Sequence, residues 1–559
     1  MIPIVGVPAP VYPPTVDWAA PISPGRVEDL LEAACSRFAD HVACWSERGA
    51  VTYADLASKA DRICGGLQGE GLQPGDRVGL MLPNSVAAVA AFFGVLKAGG
   101  VVVNFNPLLA IPEITRQARD SGADTLVVLN LAAHLAVAEH LMEEGAIDRC
   151  LVADVGEMLG GLRRLIFGWS PFGGRGKIPA NDPRYRRLES LGGEPTTTGR
   201  DPGDIAVLQY TGGTTGLPKG VVLTHRALHA NAVQLARWFT QAEAGADKIV
   251  AVLPFFHAFG MTGAMLFGVA LGAELVLLPR FDADGLISVM ESRRATMLLG
   301  VPAMFRALLM RPKLAKADLS SLKVCISGGD PLDPALADAF RAATGVRVLQ
   351  GYGLTECGPV VTCGSLDVPA KPASAGLPLP GTRLRIVDPS APEIVMAAGQ
   401  VGEICVAGPQ VMAGYWNAPG ETAAVFRDGW LRTGDLGSLD DDGYLFVVDR
   451  LKDLVSVHGR HVFPRVVEDA IRAHPSVADA AVIGPTAGAQ EGRLAAFVVL
   501  RPDGRLTEQE LKQFLEGRLA AFERPGHVRF MGALPKTALG KTIKAQLVAM
   551  LDENGPAAS

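Results

Sequence analysis

Tyr210-Thr-Gly-Gly-Thr-Thr-Gly-Leu-Pro-Lys-Gly220 is the stretch from which the rest of the chain is read. It follows the apolar run Ile205–Leu208, as a loop at a strand end does. Gly212, Gly213 and Gly216 let backbone N–H groups approach an anion closely, because no Cβ stands in the way. Thr211, Thr214 and Thr215 add hydroxyl donors and Lys219 adds positive charge, so the composition suits phosphate oxygens. The lysine stands between Pro218 and Gly220 rather than between a glycine and a hydroxyl residue, which excludes a Walker loop. By itself a Gly/Thr-rich turn reads equally as a flexible connection; the closing Pro-Lys-Gly favours the phosphate.

On the N-terminal side, two periods alternate. Val27, Leu30, Leu31, Ala34 and Phe38 recur at helical spacing, as do Leu56, Ala60, Ile63 and Leu67. Between and after them, Val78–Leu82, Val101–Val103 and Leu126–Leu129 are short β-rich runs. Strands separated by helix-length segments imply a parallel sheet covered on both faces. The basic section from Leu159 to Leu191 interrupts this rhythm, which resumes at Ile205 and continues to about residue 360. Residues 374–448 are β-rich and punctuated by glycine, as in a small barrel. After Asp449–Asp453 the pattern is that of an α+β unit: a helix over Pro464–His474, strands over Val477–Gly484 and Leu494–Leu500, and a helix opened by the capping box Thr507-x-x-Glu510. The expected class is α/β: a large N-terminal domain (1–450) of parallel-sheet subdomains plus a small β-barrel, then a smaller, mobile α+β C-terminal domain (451–559).

At 559 residues the chain is too long for one hydrophobic core. A formal net charge of −6 argues against a nucleic-acid partner. The eight cysteines are scattered without a C-x-x-C pair, which argues against a zinc site or dithiol centre and for reduced thiols. Met1–Pro14 is proline-rich and carries no positive charge or long apolar stretch, unlike a secretory signal. Of the longest apolar runs, Val86–Leu96 is too short to span a bilayer and Met261–Leu278 is broken by Thr262 and Glu274. Both read as buried core, and the expected location is the cytoplasm.

Further motifs carry chemistry. In Gly351-Tyr-Gly-Leu-Thr-Glu356, Tyr352 can stack on a purine, Gly353 allows close passage of the backbone, and Glu356 is a hard oxygen ligand suited to Mg²⁺ beside phosphates. Thr433-Gly-Asp435 places a carboxylate in a Gly-flanked turn, where it can accept two ribose hydroxyls, although the triplet alone reads as a plain turn. Asp449-Arg-Leu-Lys-Asp-Leu454 is a charged connector. Pro535-Lys-Thr-Ala-Leu-Gly-Lys541 puts a lysine on a loop before the amphipathic segment Lys541–Leu551. His257 ends Leu253-Pro-Phe-Phe-His257, where a histidine capping a strand end is the alternative to one beside a substrate.

These six motifs, in this order over nearly the whole chain, resemble the adenylate-forming superfamily of acyl-CoA synthetases, luciferases and peptide-synthetase adenylation domains. The resemblance implies an ATP-dependent ligase that makes an acyl-adenylate and passes the acyl group to coenzyme A, with ATP, Mg²⁺ and CoA as cofactors. It implies Lys541, Glu356 and His257 as catalytic residues and Thr211 and Glu356 as metal contacts. It adds Gly329, Gln350, Gly351, Tyr352 and Thr355 to the nucleotide-binding glycines and threonines, Asp435 and Arg450 as ribose or phosphate contacts, Lys452 as the hinge and Gly459 as a CoA-facing residue. Two departures from the family pattern are Leu539, where a small hydroxyl residue is commoner, and His458 before the glycine.

The likeness is closest to bacterial long-chain fatty acyl-CoA synthetases, through Val11-Tyr-Pro-Pro-Thr-Val, Gly376-Leu-Pro-Leu-Pro-Gly381 and Gly408-Pro-Gln-Val-Met-Ala-Gly-Tyr-Trp416. It implies a fatty acid substrate, a homodimer, and peripheral contact with the inner membrane face. Leu159–Trp169, which mixes apolar residues with Arg163 and Arg164, and the basic stretch to 187 read either as an interfacial segment or as a solvated surface. Medium-chain or aryl acids, a carrier protein or β-lactone formation as the fate of the acyl group, and a non-catalytic acyl-AMP-binding protein stay open as alternatives.

Overall fold

The computed structural model describes residues 11–158, 160, 174–199, 201–211, 218–457, 460–484, 494–536 and 542–552. Two large sheets dominate. An eight-stranded sheet has the order 414–415, 219–224, 205–211, 101–104, 77–81, 123–129, 149–153, 185–187. Its central strands are parallel, and Lys219–Thr224 turns back antiparallel on Ile205–Thr211. A nine-stranded sheet runs 377–378, 360–363, 348–353, 324–327, 297–300, 248–251, 274–277, 42–46, 49–52, parallel in its middle and antiparallel at both edges.

The alternation along each strand explains the double cover. Val78, Leu80 and Val102 join the core under helices Tyr53–Gly69 and Val86–Lys97. Met81, Val101 and Val103 face the opposite core under helices Ile111–Ser121 and Ala132–Glu143. Helix Val86–Lys97 is apolar all round because it lies buried in that packing, and Ser85 caps it by accepting from Ala88 N at 3.1 Å. The second long apolar run does not form one element. Phe259–Leu266 is a π-helical stretch, followed by helix Phe267–Leu271 and strand Glu274–Leu277.

The β-rich segment expected as a small barrel forms a five-stranded antiparallel sheet. Its long strand Trp430–Leu439 pairs along one edge with Gly402–Ala407 and shares the other between Phe426–Arg427 and Leu445–Arg450. Beyond it, Val477–Ile483, Ala495–Leu500 and His527–Phe530 form a separate three-stranded sheet. Helix Pro464–Arg472 and the Thr507-capped helix Glu508–Leu515 bury Val467, Ile471, Leu511 and Leu515 on one side, and helix Lys544–Asp552 buries Leu547 on the other. Among the described residues, no helix is long and apolar enough to cross a membrane.

Candidate active site

The ends of the strands from both large sheets, the five-stranded sheet and the C-terminal unit converge on one cavity of about 1630 Å³. Its polar part is lined by Thr211, Lys219, Glu356, Asp435, Arg450 and Lys452. A buried apolar part is lined by Leu235, Gly263, Leu299, Ile326, Val360 and Cys363. Burial pushes the Cys363 thiol up to about 12, so it acts as an apolar lining group.

Asp435 is held from both sides. It stands opposite Arg450 in the antiparallel ladder, and Arg450 Nε lies 3.1 Å from its Oδ1. The Tyr352 hydroxyl donates to Oδ2 at 2.8 Å. Burial, reinforced by the Asp435 charge, raises the Tyr352 phenol well above its ordinary range, so it stays a donor. Thr433 Oγ1 accepts from Asp435 N at 3.0 Å and donates to Ile404 O at 2.8 Å, which fixes the turn. These contacts hold an acceptor carboxylate in one orientation beside the cavity.

Glu356 lies in the short 3₁₀ turn Thr355–Cys357 after strand Val348–Gly353. Its Oε1 accepts from the Tyr415 hydroxyl at 2.9 Å. Gly353 permits this fold-back, because a Cβ there would meet Pro359 O at 2.0 Å. Among the described residues no three His, Cys, Asp or Glu side chains cluster as a metal cage. Glu356 and Thr211 line the same cavity, and Mg²⁺ is commonly held by one or two carboxylates together with substrate phosphates. Gly328, Gly329, Gly351 and Gly353 line the cavity around Tyr352, leaving room for a flat base against backbone. Gln350 Oε1 accepts from Leu332 N at 3.3 Å.

His257 also lines the cavity, at its buried apolar side. Its ring packs on Phe256 with centroids 4.9 Å apart, and its Nε2 is buried without a hydrogen-bond partner among the described residues. Burial lowers its pKa to about 4, so the imidazole is neutral near pH 7. Lys452 has its pKa lowered by burial and by the neighbouring Arg450 charge. Gly212, Gly213, Thr214, Thr215, Gly216, Gly459 and Lys541 lie outside the described residues, as do Leu159 and residues 161–173 of the basic segment. The two flanks of residues 537–541 are described: Lys536 and Thr542 form a β-bridge, and Lys536 and Ile543 line the cavity.

Several site-building residues were not singled out from the sequence. Asn84 donates to Ala251 O and Leu253 O at 2.9 and 2.8 Å and accepts from Phe255 N at 2.9 Å, fastening the loop that carries His257. Gln209 Nε2 donates to Phe256 O at 2.8 Å while its Oε1 accepts from Asn104 at 2.9 Å. A polar residue closing an apolar strand run was the available signal for Gln209. Tyr415 and Glu421 also line the cavity, Glu421 in an ion pair with Lys219.

Comparison with known proteins agrees with this arrangement. Residues 31–416 match the model of the AMP-binding enzyme family, and residues 466–541 match that of the AMP-binding enzyme C-terminal domain. A long-chain-fatty-acid–CoA ligase of Bacillus subtilis (strain 168) is 36% identical over 552 residues, covering 97% of this chain and 98% of that protein. A feruloyl-CoA synthase of an Amycolatopsis species is 34% identical over 501 residues, covering 89% and 93%. The crystal structure of ATP-bound MatB from Rhodopseudomonas palustris superposes with a TM-score of 0.83 at 29% identity, covering 94% of this chain and 99% of that one.

Proposed function

The chain belongs to the AMP-binding enzyme family, and from that premise we propose that it is an ATP-dependent fatty acid–CoA ligase. The observation that carries the substrate reading is that the oxygen- and cation-lined region and the buried apolar region belong to a single cavity. A carboxylate entering from the apolar side attacks the α-phosphorus of ATP, giving acyl-adenylate and pyrophosphate. The thiol of CoA then displaces AMP at the acyl carbon.

In this reading Lys219 and the Thr211–Gly216 backbone and hydroxyls hold the triphosphate. The glycines at 329 and 351, with Gln350, Tyr352 and Thr355, enclose the base. Asp435, pre-oriented by Tyr352 and Arg450, accepts the ribose hydroxyls. Glu356 and Thr211 would hold Mg²⁺, which supplies charge neutralisation at the phosphates when bound. Neutral His257 borders the acyl carboxylate without adding charge to the apolar wall. Lys541 stabilises charge developing on the α-phosphate and carboxylate in the first half-reaction. The division at 450/451, with Lys452 as hinge, lets the C-terminal domain turn so that the Gly459 loop replaces Lys541 for the second half-reaction.

The test is AMP release from ATP with CoA across saturated fatty, aryl and 3-hydroxy acids. Turnover that needs CoA and peaks at a long saturated chain is expected. The similarity to a feruloyl-CoA synthase favours an aryl acid as the second reading, and activity confined to aryl acids would replace the first. AMP release indifferent to CoA would remove CoA as acceptor. In the same assay Lys541→Ala should lower acyl-adenylate formation at least about 100-fold. On the family resemblance alone we propose a homodimer and, as the alternative to a solvated surface, peripheral membrane contact through residues 159–187; a monomeric mass by light scattering would refute the first, and liposome binding unchanged by deleting 159–187 the second.

A further inference from the structure

Tyr415 sits where the phosphate hairpin and the Glu356 turn meet. The two-residue strand Gly414–Tyr415 is the edge of the eight-stranded sheet, antiparallel to Lys219–Thr224, with Tyr415 opposite Val221. The backbone is fastened on both sides of it: Met412 N donates to Glu356 O at 2.8 Å and Trp416 N donates to Gly220 O at 2.7 Å. Trp416 Nε1 reaches Asp120 O at 2.9 Å, and Tyr415 N donates to Thr422 Oγ1 at 2.8 Å. Gly414 makes this path available, since its φ is +153° and a Cβ would meet Thr422 at 2.7 Å. The side chain so placed makes two contacts. Its hydroxyl donates to Glu356 Oε1 at 2.9 Å, and Lys219 Nζ lies 5.0 Å from the ring centroid. Lys219 meets Glu421 as its ion-pair partner, and the Tyr415 side chain contacts both the ammonium and the Glu356 carboxylate.

We propose that Tyr415 is a positioning residue that fixes the Glu356 carboxylate and the Lys219 ammonium relative to each other, so that one aromatic ring sets both the metal-side and the phosphate-side contacts of the nucleotide. This rests on the reading of Glu356 as the Mg²⁺ ligand. A glutamate with one oxygen hydrogen-bonded has lost its rotational freedom before the metal arrives, so less ordering is required on binding.

The experiment is calorimetric ATP binding to the full chain, without acid substrate, in excess Mg²⁺ and in EDTA. Tyr415→Phe keeps the ring and removes the hydroxyl. It should lose about tenfold of the Mg²⁺-dependent gain in affinity, at the low end for an outer-shell partner of a metal site, and change little in EDTA. Glu356→Gln should lose the whole gain, and Lys219→Met should weaken binding similarly in both media. Glu356→Asp, which keeps the charge but draws it back from the Tyr415 hydroxyl, should lose a share comparable to that of Tyr415→Phe, and gives a second route if Tyr415→Phe melts early. A wild-type gain in Tyr415→Phe or Glu356→Asp, with the gain lost in Glu356→Gln, overturns the role of Tyr415 alone. A gain retained in Glu356→Gln overturns the reading of Glu356 as well. Equal weakening of Tyr415→Phe in both media overturns positioning, because it marks a general loss of fit.

Discussion

His257 is a neutral imidazole set in an apolar wall, and its titration has a definite sign. With a folded pKa near 4 against 6.5 in the free side chain, the unfolded chain binds more protons than the folded one in that interval. The stability that depends on this is complete above about pH 6.5 and is lost as the pH falls through about 4. The drop in urea midpoint between about pH 7.5 and about pH 5 should therefore be smaller in His257→Gln than in wild type; an equal drop would refute the assignment. Gln209 is a second single-residue case. Gln209→Ala leaves Phe256 O and the Asn104 amide without their buried partners, at a cost of about 1–3 kcal/mol in chemical denaturation. A loss of less than about 0.5 kcal/mol, the level of an ordinary surface substitution, would indicate that the pair is replaceable.

Among the elements, the phosphate hairpin and the π-helical stretch differ in how readable they are. The hairpin announces itself through residue types: glycine, threonine and lysine after an apolar run. The stretch Phe259–Leu266 is only an apolar run to periodicity, which does not separate helix from strand in short buried segments. Its form depends on close approaches: a Cβ at Gly260 would meet Pro254 O at 2.2 Å, and one at Gly263 would meet the Phe259 ring at 2.8 Å. Facing it, Leu299 is buried on strand Met297–Gly300 and lines the apolar part of the cavity. Leu299→Trp should move the preferred saturated acid toward shorter chains, and Leu299→Ala toward longer ones. The readout is kcat/KM from octanoate to stearate, and an unchanged optimum in both variants would place the acyl tail elsewhere.

For the whole molecule, the cavity exists because two sheets, a third β unit and a C-terminal unit meet with their functional ends together. In the present arrangement Lys536 and Ile543 of the C-terminal unit line the same cavity as Glu356 and Asp435. If the unit turns about the Leu451–Asp453 segment between half-reactions, restricting that segment should separate them. Proline holds φ near −65°, so Lys452→Pro should leave pyrophosphate exchange within about twofold while slowing thioester formation more than about tenfold. Equal slowing of both would remove Lys452 as the pivot.

What the chain determines by itself is the set of elements and the chemical groups they carry. The α/β alternation follows from periods of 3.6 and 2, and the motifs present residue types suited to phosphate, ribose and metal at short spacing. The 374–448 segment was legible as β, but not its pairing, because glycine punctuation says where strands end and not which edges they share. The tertiary structure alone decides contacts such as Tyr415 to Glu356, 59 residues apart, and Asn104 to Gln209, 105 apart. Those distances depend on strand order and register, which are selected by burying both faces of each sheet at once. That selection is a property of the packed whole, and no local spacing in the sequence encodes it.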